Sequence, residues 1–283
     1  MSELRVEALT HIYSAGTPFQ KTAIENISLT IPSGQFVGLL GHTGSGKSTF
    51  IQHLNALLAP SSGTVYVDGE DINRDKKSRR AVKNKVGLVF QYPEYQLFEE
   101  TVFADIAFGP KNMGLGKDEI EQRVREAAGF VGVAEELFQR SPLELSGGQK
   151  RRIAIAGVIA MRPGILILDE PTAGLDPAGC RQIMDNICRY REESGATVMI
   201  VSHNMDDAAR LTERLIVFNH GSIAMDGTPE QVFSQPEKLV EIGLNVPQST
   251  ALAMELRKQG LPLQGAIFTH GQLMAALKEV GAC

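Results

Sequence analysis

The sequence predicts an α/β fold built on a largely parallel sheet, and three observations carry that prediction. First, Phe36–Leu40, Val86–Phe90, Ile165–Leu168 and Thr197–Val201 are short, unbroken apolar runs of the kind found in strands buried on both faces. Second, capped or periodic helical stretches lie between them, as in chains that cross over between parallel strands. Third, the 283 residues, 43% of them hydrophobic and 22% charged, suffice for a full core without a disulfide or metal staple. The length allows one or two domains.

From the N-terminus, Leu4, Val6 and Ala8 occupy one phase of a short strand. Ile27, Leu29 and Ile31 repeat the pattern before the Pro32-Ser33-Gly34 turn. Phe36–Leu40 runs into a glycine-rich loop and then a helix from about Lys47 to Leu58, stopped by Pro60-Ser61-Ser62-Gly63. Thr64–Val67 reads as a strand entering the Asp68-Gly69 turn. Asp71–Lys85, with Lys76-Lys77 and Arg79-Arg80, reads as a solvated face. Lys117–Val131 has helical periodicity. Ser146 is placed to cap a helix running to Met161, and Asp176-Pro177 supplies an N-cap and an N1 proline for another. Thr228-Pro229-Glu230-Gln231 has the form of a capping box, and the short helices after it are broken by Pro236, Pro247 and Pro262. This change of texture divides the chain into residues 1–227 and a small C-terminal element, 228–283. No internal repeat is visible.

Lys plus Arg total 28 against 33 Asp plus Glu, a net charge of −5, which argues against broad nucleic-acid binding. Cys180, Cys188 and Cys283 form neither a disulfide framework nor a zinc pattern, and point to a reducing compartment. The N-terminus, MSELRVEALTH, lacks the apolar stretch of a signal peptide. No apolar run approaches the length of a membrane span.

Three segments carry chemistry. Gly41-His42-Thr43-Gly44-Ser45-Gly46-Lys47-Ser48 matches G-x-x-x-x-G-K-[ST] between a predicted strand and a predicted helix. Its glycines let backbone N–H groups turn toward phosphate oxygens, and the helix N-terminus adds partial positive charge. Lys47 can reach β- and γ-phosphates, and the Ser48 hydroxyl can ligate magnesium. Ile165–Leu168 ends in Asp169-Glu170, where one carboxylate can hold magnesium and the next can polarise a water. Leu145-Ser146-Gly147-Gly148-Gln149 joins a serine cap, two glycines and a helix start, a second anion-reading arrangement.

Leu145–Gln149 resembles the signature of the ATP-binding cassette family, and the other motifs follow in that family's order. The resemblance implies a P-loop nucleotide-binding core, an antiparallel β subdomain and a helical signature subdomain over roughly 92–160. It implies ATP and Mg2+ as ligands, and two cassettes paired head to tail around two ATPs. Tyr13 would stack on adenine. Gly41, His42, Thr43, Gly44, Ser45, Gly46, Lys47, Ser48 and Thr49 would cradle the phosphates. Ser48, Gln91 and Asp169 would hold magnesium, Glu170 would orient the attacking water, and His203 would sense the γ-phosphate. Ser146, Gly147, Gly148 and Gln149, with Asp176 of the Ala173-Gly174-Leu175-Asp176 segment, would act across the dimer interface. His11, His42, His53, His220 and His270 have no evident partner and read as structural or exposed. With no catalytic position degenerate, the resemblance implies a hydrolysing subunit.

A narrower resemblance lies in Gln91–Phe98, Thr101-Val102 and Ala107-Phe108-Gly109-Pro110, which are similar to the ATPases of energy-coupling factor transporters. Gly16-Thr17-Pro18-Phe19, Gly41–Gly44 and Lys150-Arg151-Arg152 resemble the second of their two ATPases, as does the C-terminal element, which in that group contributes to dimerisation. The implied role is to energise import of vitamins or transition metals from the cytoplasmic face of the cell membrane. The implied partners are a related first cassette ATPase, a transmembrane coupling subunit and a small membrane substrate-binding subunit. The coupling subunit would dock near Gln91–Phe108, where Tyr92, Tyr95, Leu97 and Phe98 suit a partner helix or else core packing. A homodimeric ATPase of a cobalt or nickel importer is the alternative. A cassette ATPase outside transport is a more distant one.

Overall fold

The apolar runs of the sequence form four neighbouring strands of one large sheet in the computed structural model, which describes residues 2–281. The chain opens with the antiparallel pair β1 (Leu4–Tyr13) and β2 (Lys21–Ile31), then enters β3 (Phe36–Leu40), the glycine-rich loop and helix α1 (Lys47–Leu54). Strands β4 (Ser62–Val67) and β5 (Glu70–Asp71) complete an antiparallel sheet in the order β2-β1-β4-β5. Helix α2 (Lys76–Lys85) buries only Val82 and presents its basic residues outward. Strand β6 (Val86–Val89) follows, then helices α3 (Val102–Asn112), α4 (Lys117–Val131) and α5 (Gly147–Ile159). Strand β7 (Ile165–Asp169), α6 (Pro177–Ser194), β8 (Thr197–Val201), α7 (Met205–Leu211) and the hairpin β9 (Arg214–Asn219)–β10 (Ser222–Gly227) finish the large sheet. Its order is β10-β9-β3-β8-β7-β6, parallel except for β10.

The period-2 alternation of β7 divides its side chains between two cores. Ile165 and Ile167 join Leu4, Ile24, Val37 and Phe50 between the two sheets. Leu166 and Leu168 face Ile106, Val124, Ile153 and Ile183 of the helical layer. Helices α8 (Pro229–Phe233) and α9 (Pro236–Glu241) pack Val232, Phe233 and Leu239 against Leu215 and Val217 of β9. Helices α10 (Gln248–Lys258) and α11 (His270–Glu279) form a separate small cluster around Ala253, Leu263, Ile267 and Leu273. Among the described residues no helix is long and apolar enough to cross a membrane.

Local signals translate directly. Asp176 caps α6 with Pro177 at N1, Ser146 and Gln149 form a reciprocal capping box, and Thr228 does the same with Gln231. Two expectations need correction. Ala8 does not continue the phase of Leu4 and Val6. It takes a left-handed φ of 46° at a bulge, so that Leu9 instead is buried. The first helix stops at Leu54 rather than Leu58, because Ala56 adopts φ 52° and Leu57 and Leu58 both turn back to the Gln52 carbonyl. Of the four hydrophobic residues after Gln91, only Leu97 packs against the core. Tyr92, Tyr95 and Phe98 are exposed. Cys180 and Cys188 are free thiols, whereas Cys283 lies outside the described residues.

Candidate functional site

The site follows from sheet order. In a parallel sheet, ligands sit beyond the carboxyl ends of the strands. Here β3 ends in the glycine-rich loop, its neighbour β8 leads to His203, β7 ends at Asp169-Glu170, and edge strand β6 leads to Gln91. A cleft of about 390 Å³ gathers Gln91, Asp169, Glu170 and His203 around Lys47 and Ser48. Thr43, Gly44, Gly46 and Thr49 also line it, as does Tyr13 from the end of β1. Gly41, His42 and Ser45 shape the loop from outside the cleft wall.

The loop geometry requires its glycines. Gly46 caps α1 at φ 107°, and a Cβ there would come within 2.7 Å of the Ala23 carbonyl. Gly41 at φ 151° would clash with Ser45 and the Phe218 backbone. No side chain caps α1, so its first-turn amides face the cleft without an intrahelical acceptor. The Lys47 ammonium crosses beneath the loop and donates to Gly41 O at 2.6 Å and His42 O at 3.1 Å. Burial lowers its pKa, against the opposing pull of Glu170 and Asp169.

Ser48 Oγ lies 3.4 Å from Asp169 Oδ2, pairing a hydroxyl with a carboxylate. Burial raises the Asp169 pKa, while Ser48 and Lys47 counteract it. Glu170 is pushed up to about 7, by burial first and by Asp169 second. Its Oε1 sits 3.1 Å from His203 Nε2, but the contact is misaligned for a hydrogen bond and the oxygen stays buried and unpaired. Burial and Lys47 lower the His203 pKa, so the imidazole is neutral at neutral pH.

The signature does not join this cleft. Ser146, Gly147, Gly148 and Gln149 sit at the start of α5, and Asp176 at the start of α6, outside its lining. Gly148 packs instead beside Leu175, where a Cβ would lie 3.7 Å from Leu175 Cδ2. Arg151, one of the basic residues after the signature, is buried. It pairs with Glu94 at 2.8 Å and donates to the Ala173 carbonyl, joining the segment after Gln91 to α5 and to the Ala173–Asp176 turn.

Sequence reasoning missed Arg151 as a buried anchor and Lys21 as a cleft residue. The signal for Lys21 is the β1–β2 register, which sets it directly across from Tyr13. His42 has a partner after all, with Nε2 3.2 Å from Asn219 Oδ1. A second cavity of about 520 Å³ runs between the exposed aromatics and α5, lined by Leu97, Phe98, Phe108 and Val158, with Arg80 and Lys83 also on its wall. Asp105 faces it. Its Oδ1 accepts the amides of Phe98 and Glu99, and its Oδ2 is buried without a partner.

The ABC transporter family matches residues 24–173. The energy-coupling factor transporter ATP-binding protein EcfA2 of Caldanaerobacter subterraneus subsp. tengcongensis is 54% identical over 266 residues, covering 94% of this chain and 93% of that protein. The protein of the same name from Clostridium perfringens is 52% identical over 278 residues, covering 98% of each. Among solved structures, cbiO1 from Clostridium perfringens, described as part of the ABC transporter complex cbiONQ, has a TM-score of 0.75 at 39% identity, covering 89% of this chain and 98% of that one. A dimeric post-hydrolysis ATP-binding cassette bound to ADP and Pi has a TM-score of 0.72 at 30% identity, covering 80% and 98%.

Proposed function

The chain belongs to the ABC transporter family, among the ATP-binding proteins of energy-coupling factor transporters, and from that premise we propose how its cleft drives transport. It is an ATPase, and its hydrolysis energises an energy-coupling factor importer. The observation that carries the catalytic reading is the buried, unpaired Oε1 of Glu170 beside Lys47, Ser48 and Asp169 in one cleft.

The oxygen donors fit Mg2+. Among the described residues no group of three or more His, Cys, Asp and Glu side chains could hold a metal. Ser48, Asp169 and Gln91 would therefore hold the ion together with nucleotide phosphates, as Mg2+ sites commonly do. Bound there, it would neutralise charge on the β- and γ-phosphates. The chain supplies the rest. First-turn amides of α1 and the Lys47 ammonium bind the phosphate oxygens. Glu170, titrating near neutrality, accepts a proton from the attacking water. Neutral His203 donates one N–H to the γ-phosphate. Tyr13 supports the base. The signature and Asp176 lie outside this cleft, so they serve the nucleotide of a facing cassette, and ATP closes the pair while hydrolysis reopens it.

The partner cassette is a related first ATPase, making a heterodimer, with the C-terminal element of 228–283 adding to the interface. The aromatic-lined groove at Phe98 and Phe108 takes a helix of the transmembrane coupling subunit. That subunit in turn engages small membrane proteins that capture vitamins or transition metals. The chain thus works at the cytoplasmic face of the membrane as a peripheral subunit.

The test is to tag the chain in its host, extract membranes in mild detergent and identify what co-purifies. A second cassette ATPase, a polytopic membrane protein and small membrane partners are expected, and the small partners identify the substrates. Recovery of only the chain and one membrane protein would overturn the heterodimer in favour of a homodimeric metal importer. A complex with nucleic acid would overturn the transport role.

A further inference from the structure

His53 is fully buried on α1, one turn beyond Thr49. Its Nδ1 lies 2.7 Å from the Thr49 carbonyl, which can only accept, so Nδ1 carries the proton and Nε2 is left as an acceptor. The donor that reaches Nε2 is His11 Nδ1, at 3.2 Å, which is also 3.2 Å from the Ala59 carbonyl. One proton on His11 therefore serves two acceptors, and the tautomers of both rings are mutually consistent. His11 sits on β1 two residues before Tyr13 and stands edge-on to the Tyr13 ring, with centroids 4.5 Å apart. At its far end the Tyr13 hydroxyl lies 3.2 Å from Thr49 Oγ1, again on α1. The Tyr13 ring is thus fixed at its side through His11 and His53, and at its tip through Thr49.

Both supports come from the helix whose first residues are Lys47 and Ser48. The antiparallel sheet and the phosphate loop are different parts of the fold, yet here the position of one aromatic ring is referenced to the start of α1. We propose that His11 and His53 are positioning residues that set Tyr13 as a base platform at a fixed offset from the phosphate loop, making them determinants of nucleotide rather than phosphate affinity. The inference rests on the reading of Tyr13 as the base-stacking residue. Neither histidine touches the cleft, so neither is a catalytic residue.

The test compares equilibrium binding of ATP and of inorganic tripolyphosphate to the full chain. Tripolyphosphate occupies the loop but has no base. His53→Asn keeps a donor for the Thr49 carbonyl and removes the acceptor for His11. Loss of that one hydrogen bond is expected to weaken ATP about three- to tenfold while leaving tripolyphosphate within about twofold. His53→Gln, whose amide oxygen reaches the Nε2 position, restores the ATP affinity. His11→Phe keeps the ring edge against Tyr13 but removes the donor, and being at a half-buried strand position it is the variant to use if His53→Asn fails to fold. It is expected to behave like His53→Asn. Equal weakening of both ligands would mean damage to the helix start and would overturn the proposal. So would an unchanged ratio in His53→Asn and His11→Phe when Tyr13→Ala lowers ATP affinity selectively. If Tyr13→Ala leaves the ratio unchanged, the base-platform reading itself fails and the proposal falls with it.

Discussion

Glu170 occupies a left-handed backbone conformation, φ 52°, which holds its carboxyl inside the cleft at the end of β7. Non-glycine residues adopt such φ values at a cost of about 1–3 kcal/mol. Its raised pKa gives two predictions. As the water-activating base it must be ionised, so kcat/KM, which reports the ligand-free chain, is expected to fall as pH drops through about 7. Glu170→Gln is expected to retain ATP binding and lose at least about a hundredfold in steady-state hydrolysis. Near-normal turnover would remove Glu170 from the mechanism. The same shift has a stability consequence with the opposite sense. An unfolded glutamate titrates near about 4.3, so between that value and about 7 the folded state holds a proton the unfolded chain has released. Stability contributed by this group is complete below the lower value and lost as pH rises through the upper one. The melting temperature of Glu170→Gln should therefore gain on that of the wild type as pH rises from 5 to 8. A pH-independent difference would show that the carboxyl is not perturbed in the fold.

At the scale of elements, Arg151 ties three segments that the chain order keeps apart. Its guanidinium, only 3% exposed, pairs with Glu94 and also holds the Ala173 carbonyl. A charged pair at this depth stabilises little against an apolar replacement, but removing one partner strands the other. Arg151→Leu is expected to cost about 3 kcal/mol in urea unfolding, and Glu94→Gln in the same background to cost much less than it does alone. Additive losses would mean the pair is uncoupled. This link also shows where sequence reading stops. Caps at Ser146, Asp176 and Thr228 are legible because the donors and acceptors lie within three residues of each other. The buried runs of β3, β7 and β8 are legible for the same reason: length and hydrophobicity are local. The burial of Arg151 is not legible in the Lys150-Arg151-Arg152 run, because its partner Glu94 is 57 residues away. His53 and His11 are hidden by a separation of 42 residues. Residues 214–227 are left unassigned: in β10 the bulge between Ile223 and Met225 breaks the alternation, whereas Leu215–Phe218 of β9 is an unbroken apolar run whose signal is there to be read. Motifs placed the cleft residues because each follows a strand end, but only the sheet order explains why those four ends are neighbours.

At the scale of the molecule, the phosphate loop and the signature belong to one chain but not to one cleft. The signature helix α5 presents Ser146 with its amide-rich first turn to the outside, its hydroxyl engaged with its own capping partner Gln149. Such a helix start attracts an anion, and the chain's own phosphate site is elsewhere. On the proposed reading, two cassettes facing head to tail would satisfy both, each γ-phosphate being held by the loop of one and the signature of the other. This predicts a ligand-gated change in mass. Glu170→Gln, which keeps ATP from being consumed, should drive the cassette pair into a stable closed dimer with ATP, detected by light scattering, and ADP should not. Introducing Ser146→Arg places a long cation where the partner's nucleotide must sit against the Gly147-Gly148 backbone. That second change should abolish the ATP-dependent dimer while leaving nucleotide binding to the chain's own loop intact, because Ser146 lies outside the cleft. A dimer that forms equally well with Ser146→Arg would show that the signature faces something other than the partner's nucleotide. Loss of binding to the chain's own loop would show that the two motifs communicate within one subunit. The two failures separate an error in the interface from an error in the site.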